Sequence, residues 1–223
     1  MLDNNIRRQI LSLINKEVVP AVGCTEPMAV SLCTARAKEI LNVIPEKITV
    51  LLSANILKNA MGVGIPGTDM IGLPIAIALG AIIGKSQYQL EVIKDLSPES
   101  LEKGKKYVCE KHIEISLKPN ITEKLYIEVI CQSGKNKSTA IISGSHTNFV
   151  YEELNGDILL DKLKDKNISN EETGISLNMK MVWDFAITSP IEELKFILKT
   201  KEYNLKAAEE SIKGNYGHCL GKT

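Results

Sequence analysis

Cys24 is the residue of this chain whose surroundings point most directly to chemistry. It stands in V-G-C-T-E-P, residues 22–27, where an amphipathic segment ends, Gly23 frees the backbone and a new helix is expected to begin. A thiol at a helix N-terminus faces N–H groups that lack intrahelical acceptors, together with the positive end of the helix dipole, and both favour the thiolate. A thiolate attacks carbon or holds a metal; the plain alternative is a small apolar filler, a common role for a free cysteine. Other stretches bring polar groups. S-A-N-I-L-K-N at 53–59 offers Ser53, Asn55, Lys58 and Asn59 where a strand runs into a helix start. G-V-G-I-P-G-T-D at 62–69 concentrates glycines, Gly67 among them, and ends with Thr68 and Asp69. Its backbone N–H groups are suited to facing an anion such as a carboxylate, although a generic turn accounts for it as well. It lacks the lysine and hydroxyl pair of a Walker loop. G-S-H-T-N at 144–148 places His146, followed by Thr147, at the end of a strand, a position that suits a proton carrier. His112 reads as solvated near a charged helix end, and His218 lies close to the C-terminus.

The elements that must position these groups follow from hydrophobic spacing. Ile6, Ile10, Leu13, Ile14 and Val18 recur at helical intervals until Pro20 and Gly23 end the pattern. Thr25 is the expected N-cap of a second helix running to about Asn42, with Glu26 and Pro27 in its first turn; Cys33 lies on its apolar face and reads as core. Residues 48–52 are apolar and β-branched over strand length, and the uncharged run 70–84, too short to span a membrane, reads as a central buried helix. Ser97-Pro98-Glu99 opens a helix to about residue 111, on which Cys109 needs no chemistry. Strands are expected over 113–117, 125–131 and 139–143, with Asn155-Gly156 turning a further hairpin. Residues 161–173 form a polar, lysine-rich connection, and helices follow over 177–188, 191–200 and 203–213. The whole reads as α+β: a helical core part over 1–90 with Cys24 and the glycine loop, a small α+β subdomain with an antiparallel sheet over 91–160, and C-terminal helices over 161–223 that return to the core.

Composition excludes several classes of partner. The 223 residues balance 27 Lys and Arg against 27 Asp and Glu, which leaves no electrostatic footprint for nucleic acid or a membrane surface. Five cysteines form an odd set without C-x-x-C spacing, and residues 1–8 are polar, so a reducing cytoplasm is expected. Aromatic residues make up only 4%, which leaves the core to aliphatic side chains.

Taken together and in order, V-G-C-T-E-P at 22–27, S-A-N-I-L-K-N at 53–59, V-G-I-P-G-T at 63–68, G-S-H-T-N at 144–148 and the glycine pattern of 214–223 resemble the N-terminal half of the iron-sulfur L-cysteine desulfidases. Those enzymes are relatives of the alpha chain of iron-sulfur L-serine dehydratase, and the resemblance covers the whole chain. It implies β-elimination of L-cysteine to hydrogen sulfide, ammonia and pyruvate, with a [4Fe-4S] cluster held by three cysteines so that one iron stays open as a Lewis acid. On this resemblance Cys24 is a cluster ligand; Ser53, Asn55, Asn59, Gly67, Thr68 and Thr147 orient the substrate, with Lys58 beside them; His146 transfers the proton, with Lys58 as the second candidate. Cys33, Cys109, Cys131 and Cys219 do not fall in motifs matching the other ligands. The remaining cluster cysteines are therefore expected outside this chain, in a C-terminal half or a partner subunit, with a homo-oligomer also allowed. L-serine dehydratase activity is the nearest alternative. Pyridoxal phosphate carried on Lys58, or a non-catalytic module that binds a small amino acid, are the alternatives from other classes.

Overall fold

Ile48, Val50 and Leu52 are fully buried, and their neighbours along Lys47–Leu52 are not, the period-two signature of a strand with one face in a core. In the computed structural model, whose described residues are 2–110, 112–163 and 175–214, this strand, β1, lies inside a six-stranded sheet. The others are β4 (Ile113–Leu117), β5 (Tyr126–Ser133), β6 (Asn136–Ser143), β7 (Phe149–Leu154) and β8 (Asp157–Asp161), in the order β4-β1-β5-β6-β7-β8. β1 is parallel to β4, and every other pairing is antiparallel. The α+β class holds, but the sheet is mixed and larger than the small antiparallel one expected.

Residues 21–168 form one compact unit, and 1–20 with 169–223 form another. These bounds differ from the segments 1–90, 91–160 and 161–223. The register shows why: Ile48, Val50 and Leu52 stand opposite Cys131, Val129 and Ile127, so β1 and β5 turn one apolar face to one core. Residues 47–52 and 126–133 therefore cannot be assigned to separate cores.

In the larger unit α2 (Thr25–Leu41) and α4 (Leu73–Ile82) pack together, α2 against β5 and β6 and α4 against α5 (Pro98–Cys109). α4 is buried almost all round, as an apolar helix without a polar face must be. Its approach to α2 is close: a Cβ built on Gly80 would lie 2.5 Å from the Ser31 carbonyl oxygen. Arg36 of α2 reaches β7 through two hydrogen bonds to Glu152, 2.9 and 2.6 Å long. The helix expected over 70–84 starts later, at Leu73. Met70–Ile71 (β3) pairs instead with Gly64–Ile65 (β2), and Gly72, at φ 88°, donates its N–H to Val63 O at 2.8 Å. Among the described residues no helix is long and apolar enough to cross a membrane.

The other unit holds α1 (Asn4–Glu17), α6 (Met179–Thr188), α7 (Ile191–Leu194), a 3-10 turn and α8 (Leu198–Lys213). Asp3 caps α1 by accepting from the Asn5 and Ile6 N–H groups. Arg7 donates to Ser189 Oγ and to the carbonyl and hydroxyl oxygens of Thr188, each at 3.1 Å. Among the described residues Ile10 and Phe185 are its buried apolar ones. α8 runs straight through 200–203, where a break between two helices was expected, because nothing there interrupts the backbone pattern.

Candidate functional site

The N-cap of α2 is Cys24 rather than Thr25. Gly23, at φ 78°, turns the chain immediately before it, and a Cβ there would meet Pro66 Cγ at 2.6 Å, so the cysteine turn is pressed against the glycine loop. With the helix beginning at Thr25, Pro27 falls third, among the first four residues whose N–H groups have no intrahelical acceptor in any case. The Cys24 side chain makes no capping bond; its Sγ donates to Glu26 Oε2 at 3.0 Å. Glu26 is a hub. Its Oε2 also accepts from the Thr25 hydroxyl at 3.1 Å, and its Oε1 accepts from the Asn59 amide at 3.2 Å.

This geometry reverses the electrostatic expectation. Partial burial, and then the Glu26 carboxylate beside it, push the Cys24 thiol above the ordinary range, while the thiol's own hydrogen bond, helped by Asn59 and Thr25, holds Glu26 below the usual carboxylate range. Burial, together with a full negative charge in contact with the sulfur, outweighs the partial positive charge of the helix end. Glu26→Gln removes that charge and keeps a hydrogen-bonding group. The Cys24 thiol of the variant should then ionise at lower pH, and its alkylation by iodoacetamide near pH 8, followed on the peptide that carries it, should accelerate several-fold, roughly tenfold for each pKa unit regained. An unchanged rate would mean that burial alone retains the proton.

The polar groups of 53–69 divide into two sets. Ser53 and Thr68 are buried and bonded within the fold. Ser53 Oγ donates to Lys124 O at 2.8 Å and accepts from the Tyr126 N–H at 3.3 Å. Thr68 Oγ1 donates to Ile65 O at 2.6 Å and accepts from the Met70 N–H at 3.0 Å. Both hydroxyls anchor elements, Ser53 the start of α3 (Ala54–Ala60) against β5 and Thr68 the glycine hairpin. That hairpin is a turn built on Pro66 and Gly67, with the Thr68 N–H bonded to Ile65 O at 3.2 Å and Gly67 at φ 74°, the mark of a type II turn. Asn55, Lys58 and Asn59 are exposed and share one face of α3 by their spacing. Asn59 ties that face to Glu26.

The G-S-H-T-N loop is held by its last residue. Asn148 Nδ2 donates to Ser143 O at 2.9 Å, its N–H to Ser145 O at 3.3 Å, and Gly144, at φ 82°, donates to Leu125 O at 3.1 Å. His146 and Thr147 sit half-buried in the turn between β6 and β7, and among the described residues neither side chain makes a hydrogen bond. The sheet brings this loop to the end where α3 starts. Ser53 donates its N–H to Tyr126 O at 3.0 Å, and Tyr126 stands opposite Ser143. One strand separates them, about 10 Å at the usual strand spacing.

The other cysteines belong elsewhere. Cys33 and Cys131 are fully buried in the core, Cys33 donating to Ala140 O at 3.3 Å, and burial pushes Cys131 up to about 12. Cys109 is exposed at the end of α5. Cys219, His218 and the terminal glycine pattern beyond Gly214 lie outside the described residues. Among the described residues no group of three or more His, Cys, Asp and Glu that could hold a metal is found. His112, expected to be solvated, is half-buried and stacked on Tyr107 at 4.7 Å. Its Nδ1 bonds to the Glu46 carbonyl, so its role is structural. Sequence reasoning missed Glu26, read only as a partner for the helix dipole. The available signal was its place two residues after the cysteine, in the same first turn.

No family model matches this chain, and no solved structure does. It is 62% identical over 216 residues to a UPF0597 protein of Bacteroides thetaiotaomicron, covering 97% of this chain and 50% of that relative. It is 56% identical over 226 residues to a UPF0597 protein of Parabacteroides distasonis, covering 100% and 52%. A UPF0597 protein of Alkaliphilus oremlandii is 39% identical over 221 residues, covering 98% and 51%. The chain thus spans about half the length of these relatives.

Proposed function

We propose that this chain carries the Cys24 portion of an iron-sulfur L-cysteine desulfidase and that the rest of the site lies in polypeptide corresponding to the part of the relatives it does not span. The observation that carries the reading is the Cys24–Glu26–Asn59 arrangement: one half-exposed thiol at the start of α2, with a carboxylate 3.0 Å from its sulfur. A metal-binding thiol must lose its proton, and here the charge of the metal would have to drive that loss against the Glu26 carboxylate bonded to it. Among the described residues the donor set fits one ligand position of a [4Fe-4S] cluster and not a complete one, since Cys33 and Cys131 are enclosed in the core and Cys109 lies at the end of α5.

When bound, such a cluster with an open iron supplies a Lewis acid. This chain's own residues supply the surroundings. Asn55 and Lys58, on the α3 face next to Asn59, are exposed and suited to a substrate carboxylate. The half-buried His146, without a side-chain partner among the described residues, is suited to take the α-proton of the amino acid, after which the thiolate leaves and the enamine hydrolyses to pyruvate and ammonia. Ser53 and Thr68 hold α3 and the glycine hairpin in position rather than touching substrate.

The test is anaerobic reconstitution with iron and sulfide, of this chain alone and of this chain with the unspanned portion of the Bacteroides thetaiotaomicron relative, followed by sulfide and pyruvate release from L-cysteine and pyruvate release from L-serine. The pair should release sulfide and pyruvate in equal amounts, and the chain alone neither. Turnover by the chain alone, or an iron-loaded pair inert towards L-cysteine, would overturn the reading; preference for L-serine would move it to the dehydratase.

A further inference from the structure

α8 is a helix of 16 residues without one buried residue. Leu198, Leu205 and Ile212 recur every seven residues, with Ala208 between the last two, so they fall on one face, and all are exposed. α6 repeats the pattern. Met179 is followed by Val182 and Trp183, three and four residues on, and Trp183 by Ala186 and Ile187, three and four residues on, all on its exposed side, Met179 at 82% and Trp183 at 64% exposure, while Phe185 turns away into the interior. Ile191, at the start of α7, is 76% exposed. A helix of this length is marginal in water by itself, and amphipathic helices owe most of their stability to burying the apolar stripe. Side chains of this size, so exposed, leave on the order of several hundred Å² of apolar surface, at or above what a soluble monomer ordinarily shows.

We infer that the apolar stripes of α6 and α8 are the docking surface for the polypeptide that makes up the unspanned half of the relatives, through an apolar face of its own. The matched segment includes α6 to α8 and takes in 97–100% of this chain, yet it accounts for only 50–52% of each relative. The remaining length is enough for a second folded body. The unit of 21–168 closes a core of its own, whereas the main packing of α8 among the described residues is on the turn that precedes it, and no α8 residue is buried. A second copy of this chain would cover the stripes but would leave the extra length of these relatives without a role. The inference does not depend on the reaction proposed above, and its test uses neither iron nor turnover.

Trp183 is the single tryptophan and sits on the stripe, so its emission reports the surface directly. In the chain alone it should emit at long wavelength and be quenched by iodide. Adding the unspanned portion of the Bacteroides thetaiotaomicron relative, in aerobic buffer with a chelator, should shift the emission to the blue, protect it from iodide and give a one-to-one complex by light scattering. Leu205→Glu with Ile212→Glu should weaken that association at least tenfold, roughly the loss of a minor hot spot, with helicity unchanged. In the unsubstituted pair, hydrogen-exchange protection should rise over Met179–Thr188 and Leu198–Lys213, a reading that needs no variant. No association, association that the substitutions leave intact, a homodimer that shields Trp183, unchanged exchange over both helices, or a tryptophan already shielded in the chain alone would each overturn the inference.

Discussion

Replacing Cys24 with serine is expected to abolish sulfide release by the reconstituted pair. The hydroxyl is isosteric enough to keep the hydrogen bond to Glu26, and the position is only a helix cap, so α2 should form unchanged. What is lost is a soft, ionisable sulfur. Losing an outer-shell partner of a metal ligand typically costs about 10–100-fold, so removing the proposed ligand itself should reduce turnover by more than about a hundredfold. Iron bound per complex should fall in parallel. Cys109→Ser, an exposed thiol at the far end of α5, should leave both unchanged and serves as the control. A Cys24→Ser pair that still releases sulfide at the original rate would remove Cys24 from the site and with it the reading of the α2 N-terminus.

The largest effect on stability is expected at Gly80→Ala. In an isolated helix this change is favourable by about 1 kcal/mol. Here the new methyl would stand 2.5 Å from the Ser31 carbonyl oxygen and 2.9 Å from Ser31 Oγ, atoms of a neighbouring buried helix rather than the end of a flexible chain. Overpacking of this kind costs about 1–3 kcal/mol, occasionally more, and since the contact is with backbone, the upper part of that range applies. Net destabilisation of about 2 kcal/mol should lower the urea midpoint by about 1 M at ordinary m-values. Because Cys24 opens α2 and the glycine hairpin leads into α4, moving the two helices apart should also disturb the contact between Gly23 and Pro66. Accelerated alkylation of Cys24 would accompany the lost stability. An unchanged midpoint would show that the helices are not in contact at this position.

Much of the fold was legible because local pattern and tertiary demand agree. The span of α2, the Ser97 and Pro98 start of α5, the strand at 113–117 and the Asn155-Gly156 turn each follow from a few adjacent residues. The start of α4 was not legible in this way. Met70 and Ile71 are as apolar as the helix they precede, and only pairing with Gly64 and Ile65 across the hairpin makes them a strand. The same holds for β1, whose composition marks a strand without naming its neighbours.

By itself the sequence determined most element types, the aliphatic core, the place of a cysteine at a helix start and the order of the polar stretches, because these depend on spacing along the chain. The tertiary structure decided what those stretches do. It placed β1 between β4 and β5, and so brought the His146 loop to the end of the sheet where α3 begins. It bonded Ser53 and Thr68 into the fold and left Asn55, Lys58 and Asn59 exposed. Above all, it partly buried Cys24 and set Glu26 against it, and so turned a predicted thiolate into a thiol that holds its proton. A helix end makes a small, fixed contribution that can be read from sequence, whereas the charge state of a thiol depends on its burial and on which carboxylate lies within about 3 Å, and these are properties of the packed chain.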